Sequence, residues 1–226
     1  MILSKEMFPD DGRESWDTVM FIYESAVKRM KTKVDILNDE FVAVHQYNPI
    51  EYVKTRVKSP DSIAKKLKKN NHDVTIGDMI EYCNDIAGVR IVCSFTSDIY
   101  RIADMIGRQD DVTVVSIKDY IKNPKESGYQ SYHMLVTIPV YLSDKVVHTK
   151  VEIQTRTIGM DFWASLEHKI YYKFEGHAPE YISQDLRECA NIVSTLDSKM
   201  LSLNEAILQA KGEAMIQKGA TFNQII

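Results

Sequence analysis

The stretch from Lys118 to His133, KDYIKNPKESGYQSYH, gathers side chains able to hold a phosphorylated ligand. Lys118, Lys122 and Lys125 fall within eight residues and are followed by Gly128, Tyr129 and His133. Asn123-Pro124 and Ser127-Gly128 are turn formers, so the segment reads as a basic loop feeding a strand. Its lysines suit a polyphosphate and the Tyr129 ring suits a base; a solvated loop with a tyrosine at the core edge is the alternative. A second basic segment, residues 51–70, sets Lys54, Arg56, Lys58, Lys65, Lys66, Lys68 and Lys69 against Glu51 and Asp61, a local +5 in a chain of net charge −4. A cationic patch on an acidic protein suits a compact anion better than a long duplex.

The acids that could work beside these cations lie further along. In NDIAGVRIVCSF, Asp85, Gly88 and Arg90 stand at a helix-to-strand entry, where an acid and a guanidinium can face one pocket; a turn with a local ion pair explains the string equally well. In VVHTKVEIQTRT, strand alternation sends Val147, Thr149, Val151, Ile153 and Thr155 one way and His148, Lys150, Glu152, Gln154 and Arg156 the other. A strand face that polar either borders solvent or lines a site.

The elements that must position these groups follow from periodicity. Trp16, Val19, Met20, Tyr23, Val27, Met30, Val34 and Leu37 recur at helical spacing and predict a long packed helix. Ser59-Pro60-Asp61 is a helix start, and the helix it opens puts Ser62 and Lys66 on one face, with Lys69 a turn on. Backbone N–H groups at such a start favour phosphate. Residues 75–83 predict a helix, and Val89, Ile91, Cys93 and Phe95 one face of a strand. Ser97 and Asp98 are expected to cap a helix running to about Arg108, with VTVVSI and residues 132–140 as further strands and Pro139 near a strand end or edge. Residues 157–174 predict a helix with Met160, Trp163, Leu166 and Ile170 on its apolar side. A last helix, about 183–210, carries Leu186, Ala190, Val193, Leu196, Met200, Leu203 and Ile207 and is a candidate for packing on another subunit; the tail after Gly212 is expected to fray. The fold class is α/β (α+β): a mixed sheet of four to five strands enclosed by helices.

Composition bounds the rest. With 44% hydrophobic and 27% charged residues the chain can fill a sizeable core and reads as one soluble domain with helical extensions. No apolar run reaches the roughly 20 residues of a membrane span, and no secretory signal is visible at the N-terminus. Cys83, Cys93 and Cys189 lack CxxC spacing and read as reduced, mostly buried thiols of a cytoplasmic protein. His72-Asp73 stands alone, and Glu167-His168 with His177 lacks the paired histidines of a zinc-protease helix. Neither a GxxxxGK[ST] loop nor a GxGxxG string is present.

Four blocks taken together carry a resemblance: R-x-K-x-x-x-S from Arg56 to Ser62, D-I-A-G-V-R from Asp85 to Arg90, K-D-Y-I-x-N-P-K-x-x-G-Y-x-S-x-H from Lys118 to His133, and V-E-I-Q-x-R-T from Val151 to Thr157. In order and spacing they resemble the RelA/SpoT-type synthetase domain, a nucleotidyltransferase-like fold, over residues 45–175; a chain this short, with no hydrolase domain, is similar to the small alarmone synthetases. The resemblance implies transfer of pyrophosphate from ATP to the 3′-hydroxyl of GDP or GTP, with Mg²⁺ as cofactor. It implies that Arg56 and Arg90 sandwich adenine and that Lys58, Ser62, Lys66 and Lys118 hold the ATP phosphates. Asp85 and Glu152 would bind magnesium, with Glu152 also a candidate general base. Tyr129 would stack on guanine, Lys125 and His133 would meet the acceptor's 5′-phosphates, and Gln154 would orient the acceptor. Asp161 stands where better-known members carry an asparagine that reads the guanine edge, and Gln130 replaces a common arginine. Residues 1–44 become an N-terminal helical extension and 176–226 a C-terminal helix and tail for oligomerisation, by resemblance a tetramer. A catalytically silent regulator binding nucleotide or single-stranded RNA is the alternative.

Overall fold

The computed structural model describes residues 15–173 and 179–217; residues 1–14, Phe174, His177 and the end of the tail, all touched by the expectations above, lie outside them. In chain order the elements are α1 (Trp16–His45), β1 (Ile50–Val57), α2 (Pro60–Lys69), α3 (Ile76–Tyr82), β2 (Ala87–Cys93), α4 (Thr96–Gly107), β3 (Thr113–Asp119), β4 (Tyr132–Tyr141), β5 (Val146–Thr157), α5 (Ile158–Lys173) and α6 (Glu180–Gln217). The strands form one five-stranded mixed sheet in the order β1-β2-β5-β4-β3. Only β2 and β5 run parallel; the other three pairings are antiparallel.

One face of this sheet is the core and the other is the site. Val89, Ile91, Val151, Ile153, Met134, Val136 and Ile138 are buried and join the apolar stripe of α1 (Trp16, Val19, Tyr23, Met30, Val34 and Leu37) in one cluster with α4. The expected stripe is present, widened by Ile22, Ala26 and Phe41. Because β-strand side chains alternate, the residues between these point to the opposite face. Register then sets two rungs across all five strands: Lys54–Arg90–Gln154–His133–Lys118 and Arg56–Gly88–Glu152–Leu135–Ser116. The polar side of β5 therefore lines a site at the middle of the sheet.

Local signals hold with small shifts. Ser59 caps α2 by accepting from the Ser62 N–H, with Pro60 in the first turn, and Thr75 caps α3. The fifth strand, β1, is where the sequence shows only alternating cations. Helix α4 begins one residue before the expected cap, because Asp98 rather than Ser97 accepts from the Phe95 N–H at 3.2 Å. Asp98 is buried there and also accepts from Tyr47 Oη at 2.6 Å. On α5, Met160 and Trp163 are buried, but Leu166 is 40% exposed and Ala164 takes its place in the packing. Cys189 is exposed rather than buried, while Cys83 and Cys93 are buried as expected. Helix α6 is longer than expected at both ends: Leu186 and Ala190 are buried, whereas Leu196, Met200, Leu203 and Ile207 are exposed. No helix among the described residues is long and apolar enough to cross a membrane.

Candidate active site

Three blocks from distant parts of the chain meet on the polar face. Lys58 leaves β1 and Lys66 sits two turns into α2; their Nζ atoms each lie 2.7 Å from one oxygen of Asp85, which enters from the turn before β2. That turn is held from β5, where Lys150 Nζ donates to the Ile80 and Glu81 carbonyls and to Asn84 Oδ1. Burial alone would raise the Asp85 pKa, but the two ammonium groups outweigh it and hold the carboxyl below its usual value. Ser62 is exposed on the first turn of α2, its hydroxyl 2.9 Å from that of Ser59.

Glu152 occupies the centre of the sheet. Its Oε2 accepts from Gln154 Nε2 at 2.8 Å, and its Oε1 lies 3.5 Å from His133 Nδ1 on β4. Burial pushes its pKa up, and so does the nearby charge of Asp85, yet His133 and Gln154 leave it below the ordinary carboxylate value. The two acids are thus close enough to feel one another. Glu152 also lines two cavities at once. The first, about 230 Å³, is bounded by Lys54, Thr55, Arg56, Gly88, Arg90, Glu152 and Gln154. The second, about 240 Å³, is bounded by Asn84, Ser116, Lys118, Tyr120, Lys125, His133 and Glu152.

Gly88 has a steric reason to be glycine. A Cβ there would stand 3.3 Å from Arg56 Cγ, so its absence lets the Arg56 side chain lie across β2. On the other side, Lys125 Nζ lies 4.8 Å from the Tyr120 ring centre and 4.9 Å from that of Tyr129, a cation between two aromatic faces. The loop carrying it is pinned: Gly128 has φ +88°, its N–H donates to the Lys125 carbonyl at 2.8 Å, and a Cβ on it would meet Ala190 of α6 at 2.6 Å. Tyr129 Oη accepts from Arg156 Nη2 at 2.6 Å and lies 2.9 Å from His133 Nε2. A guanidinium only donates, so the hydroxyl proton is free for His133.

A profile described as "Region found in RelA / SpoT proteins" matches residues 55–177, which span all four motif blocks. The chain belongs to the RelA/SpoT family. GTP pyrophosphokinase YwaC of Bacillus subtilis is 44% identical over 194 residues, 86% of this chain and 92% of that protein. The crystal structure of small alarmone synthetase 2 from Bacillus subtilis superposes with a TM-score of 0.78 at 43% identity, covering 85% of this chain and 100% of that one. Small alarmone synthetase 1 of the same organism, bound to its product pppGpp, gives a TM-score of 0.80 at 35% identity over 85% of this chain and 98% of that one. The same synthetase bound to AMPCPP gives 0.74 at 33% identity over 86% and 98%.

Against the residues expected for a RelA/SpoT-family site, the structure brings Arg56, Arg90, Glu152 and Gln154 to the first cavity, and Lys125 and His133 to the second. Lys118, expected among the ATP phosphates with Lys58 and Lys66, lines the second cavity beside Lys125 and His133. Asp161 lines neither: it is buried at 2% exposure, and its oxygens take Tyr52 Oη, Arg90 Nη1 and Arg156 Nη1 at 2.7, 3.1 and 3.0 Å. Tyr120, Lys54, Asn84, Lys150 and Arg156 had no expected role. Arg156 and Lys150 already stood on the polar face that alternation gives β5, without a role; for Lys54, carrying the alternation one step back from Arg56 along β1 would have found it. The Lys150–Asn84 contact joins β5 to the turn before β2, 66 residues away in sequence, and leaves no local signal.

Proposed function

We propose that this chain is a (p)ppGpp synthetase: it transfers pyrophosphate from ATP to the 3′-hydroxyl of GDP or GTP. The observation that carries this reading is that Glu152 belongs to both cavities, so a group bound in one can meet a group bound in the other across a single carboxylate. ATP takes the first cavity, with adenine between the Arg56 and Arg90 guanidinium planes and its phosphates toward Lys58, Lys66 and Ser62. GDP or GTP takes the second, its 5′-phosphates met by Lys118, Lys125 and His133 and its guanine reaching past that lining to Tyr129, which adjoins it through His133 and Lys125. Membership of the RelA/SpoT family, and the synthetases of that family solved with pppGpp and with AMPCPP, support this reading.

In the reaction the acceptor's 3′-oxygen forms a bond to the β-phosphorus of ATP while the bond from that phosphorus to the α–β bridging oxygen breaks, releasing AMP. Glu152 takes the hydroxyl proton, a role typically worth about 10²–10⁴ in rate. Gln154 keeps the carboxylate turned toward the cleft. When the triphosphate arrives, Lys58 and Lys66 exchange Asp85 for phosphate oxygens, and Asp85 is released for other work. The remainder is positioning and charge stabilisation, as in phosphoryl transfer generally.

The acids fit Mg²⁺. Magnesium is held by one or two carboxylates with the substrate's phosphates completing its shell, and Asp85 and Glu152 are two hard donors within electrostatic reach of one another. Among the described residues no group of three or more His, Cys, Asp or Glu forms an all-protein cage. When bound, magnesium would neutralise charge between the phosphates. The cytoplasm, where ATP and GDP are both at hand, is the proposed location. The exposed apolar side chains of α6, Leu196, Met200, Leu203 and Ile207, are the proposed contact between copies in a tetramer.

The test is purified protein with ATP, GDP and Mg²⁺, following AMP and ppGpp by ion-exchange chromatography. Equimolar AMP and ppGpp are expected from the wild type, and neither from Glu152→Gln. Full activity in that variant would overturn the role given to Glu152, and AMP without ppGpp would overturn the transfer itself.

A further inference from the structure

The expected part for Asp161 was to read the guanine edge, and its surroundings give it another. It is buried, Oδ2 is taken by the Tyr52 hydroxyl, and Oδ1 is shared by two guanidiniums from the neighbouring strands β2 and β5. One of them, Arg90, lines the first cavity. The other, Arg156, reaches through its second nitrogen to Tyr129 Oη at 2.6 Å and to Gln154 Oε1 at 3.2 Å. Arg90 Nε is buried without a partner, so Arg90 is the member of the pair with bonding capacity left to respond to a ligand.

We propose that Asp161 and Arg156 form an ionic bridge that couples the two nucleotide cavities, and that Asp161 is a positioning residue rather than a reader of the base. The inference rests on the assignment of ATP and GDP to those cavities. Two cations share the charge of one oxygen. A ligand that draws Arg90 toward the first cavity leaves Oδ1 to Arg156, which then holds Tyr129 and, through it, His133 more firmly for the acceptor. Occupancy of the first cavity therefore tightens binding in the second, and by linkage the converse holds to the same factor. Burial suits this role, because a carboxylate shielded from water transmits a change at one guanidinium to the other with little screening.

Calorimetric titration of GDP onto the full chain, in magnesium, with and without saturating AMPCPP tests it. In the wild type AMPCPP should tighten GDP binding by roughly fivefold or more, the lower end of typical coupling factors. In Asp161→Asn and in Arg156→Gln that factor should fall to about one; Arg156→Gln leaves Asp161 paired with Arg90 and Tyr52 and serves if the first variant does not fold. The ratio of GDP to IDP affinity should be unchanged in Asp161→Asn, since IDP lacks only the 2-amino group that a base-reading carboxylate would contact. Wild-type GDP affinity indifferent to AMPCPP, coupling retained in a folded variant, or a GDP-to-IDP ratio that collapses in Asp161→Asn would each overturn the bridge. If the wild type bound neither nucleotide, the cavity assignment would fall and take the bridge with it.

Discussion

Two carboxylates near enough to feel each other's charge, one in the turn before β2 and one on β5, are held in opposite manners. Asp85 is gripped by two ammonium groups at 2.7 Å, while Glu152 is held by a neutral amide at 2.8 Å and an imidazole at 3.5 Å. Both are half-buried and both are kept below their ordinary pKa, but the cause differs: paired lysine charge at Asp85, His133 and an amide hydrogen bond at Glu152. Asp85 thus belongs to a charge cluster that a polyphosphate can break open. Glu152 is fixed in place by groups that leave it free to act. A site that must bring two polyanions together needs one acid that exchanges partners and one that does not.

That contrast is sharpest in activity. Glu152→Gln should lower kcat by about 10²–10⁴ while GDP and AMPCPP still bind and the melting temperature stays close to wild type, as read by steady-state kinetics, calorimetry and thermal unfolding. Asp85→Asn should also lose about 10² or more in rate, a loss of the kind seen when charge stabilisation is removed. It should differ in stability as well: stranding Lys58 and Lys66 should lower the ligand-free melting temperature, and added ATP should recover it. Equal stability of the two variants would break the comparison. Tyr129→Ala should come next, raising the acceptor's KM by roughly 5–150-fold, the range of base–aromatic stacking of about 1–3 kcal/mol, with the KM for ATP nearly unchanged.

The acid limb separates Asp85 by a second route. Its carboxyl is depressed in the folded state, so it contributes stability above the ordinary carboxylate pKa of about 4, and the contribution is lost as pH falls through the depressed value. Melting temperatures from pH 7 to pH 3, taken without nucleotide, should fall more steeply at the acid end for wild type than for Asp85→Asn. Parallel curves would mean that the two lysines do not hold the charge. The smallest effect is reserved for Gly88→Ala, where a Cβ 3.3 Å from Arg56 Cγ pushes that side chain aside. A rise of about twofold to tenfold in the KM for ATP, with the acceptor's KM unmoved, is expected.

Much of this site was legible because its residues follow local rules. Strand alternation put Glu152, Gln154 and Arg156 on one face, and the cap at Ser59 set Ser62 and Lys66 on α2. What alternation could not supply is which strand lies beside which. The parallel pairing of β2 with β5 sets Gly88 opposite Glu152 and Arg90 opposite Gln154, and that register joins residues more than sixty apart. Asp161 shows the same limit from the other side. A motif position marks it as a base contact, whereas its burial between Arg90, Arg156 and Tyr52 is a fact of packing that no spacing in α5 reveals. Lys118 lines the second cavity for a related reason: its rung partner is His133, across the β3–β4 ladder.

The measurement closest to the centre of this account is a crystal structure of the Glu152→Gln protein with ATP, GDP and Mg²⁺ bound together. The account predicts adenine between Arg56 and Arg90, guanine against Tyr129, and the acceptor's 3′-hydroxyl within hydrogen-bond reach of residue 152 and facing the β-phosphorus. Both nucleotides lodged on the same side of that residue, or a 3′-hydroxyl turned away from it, would contradict it.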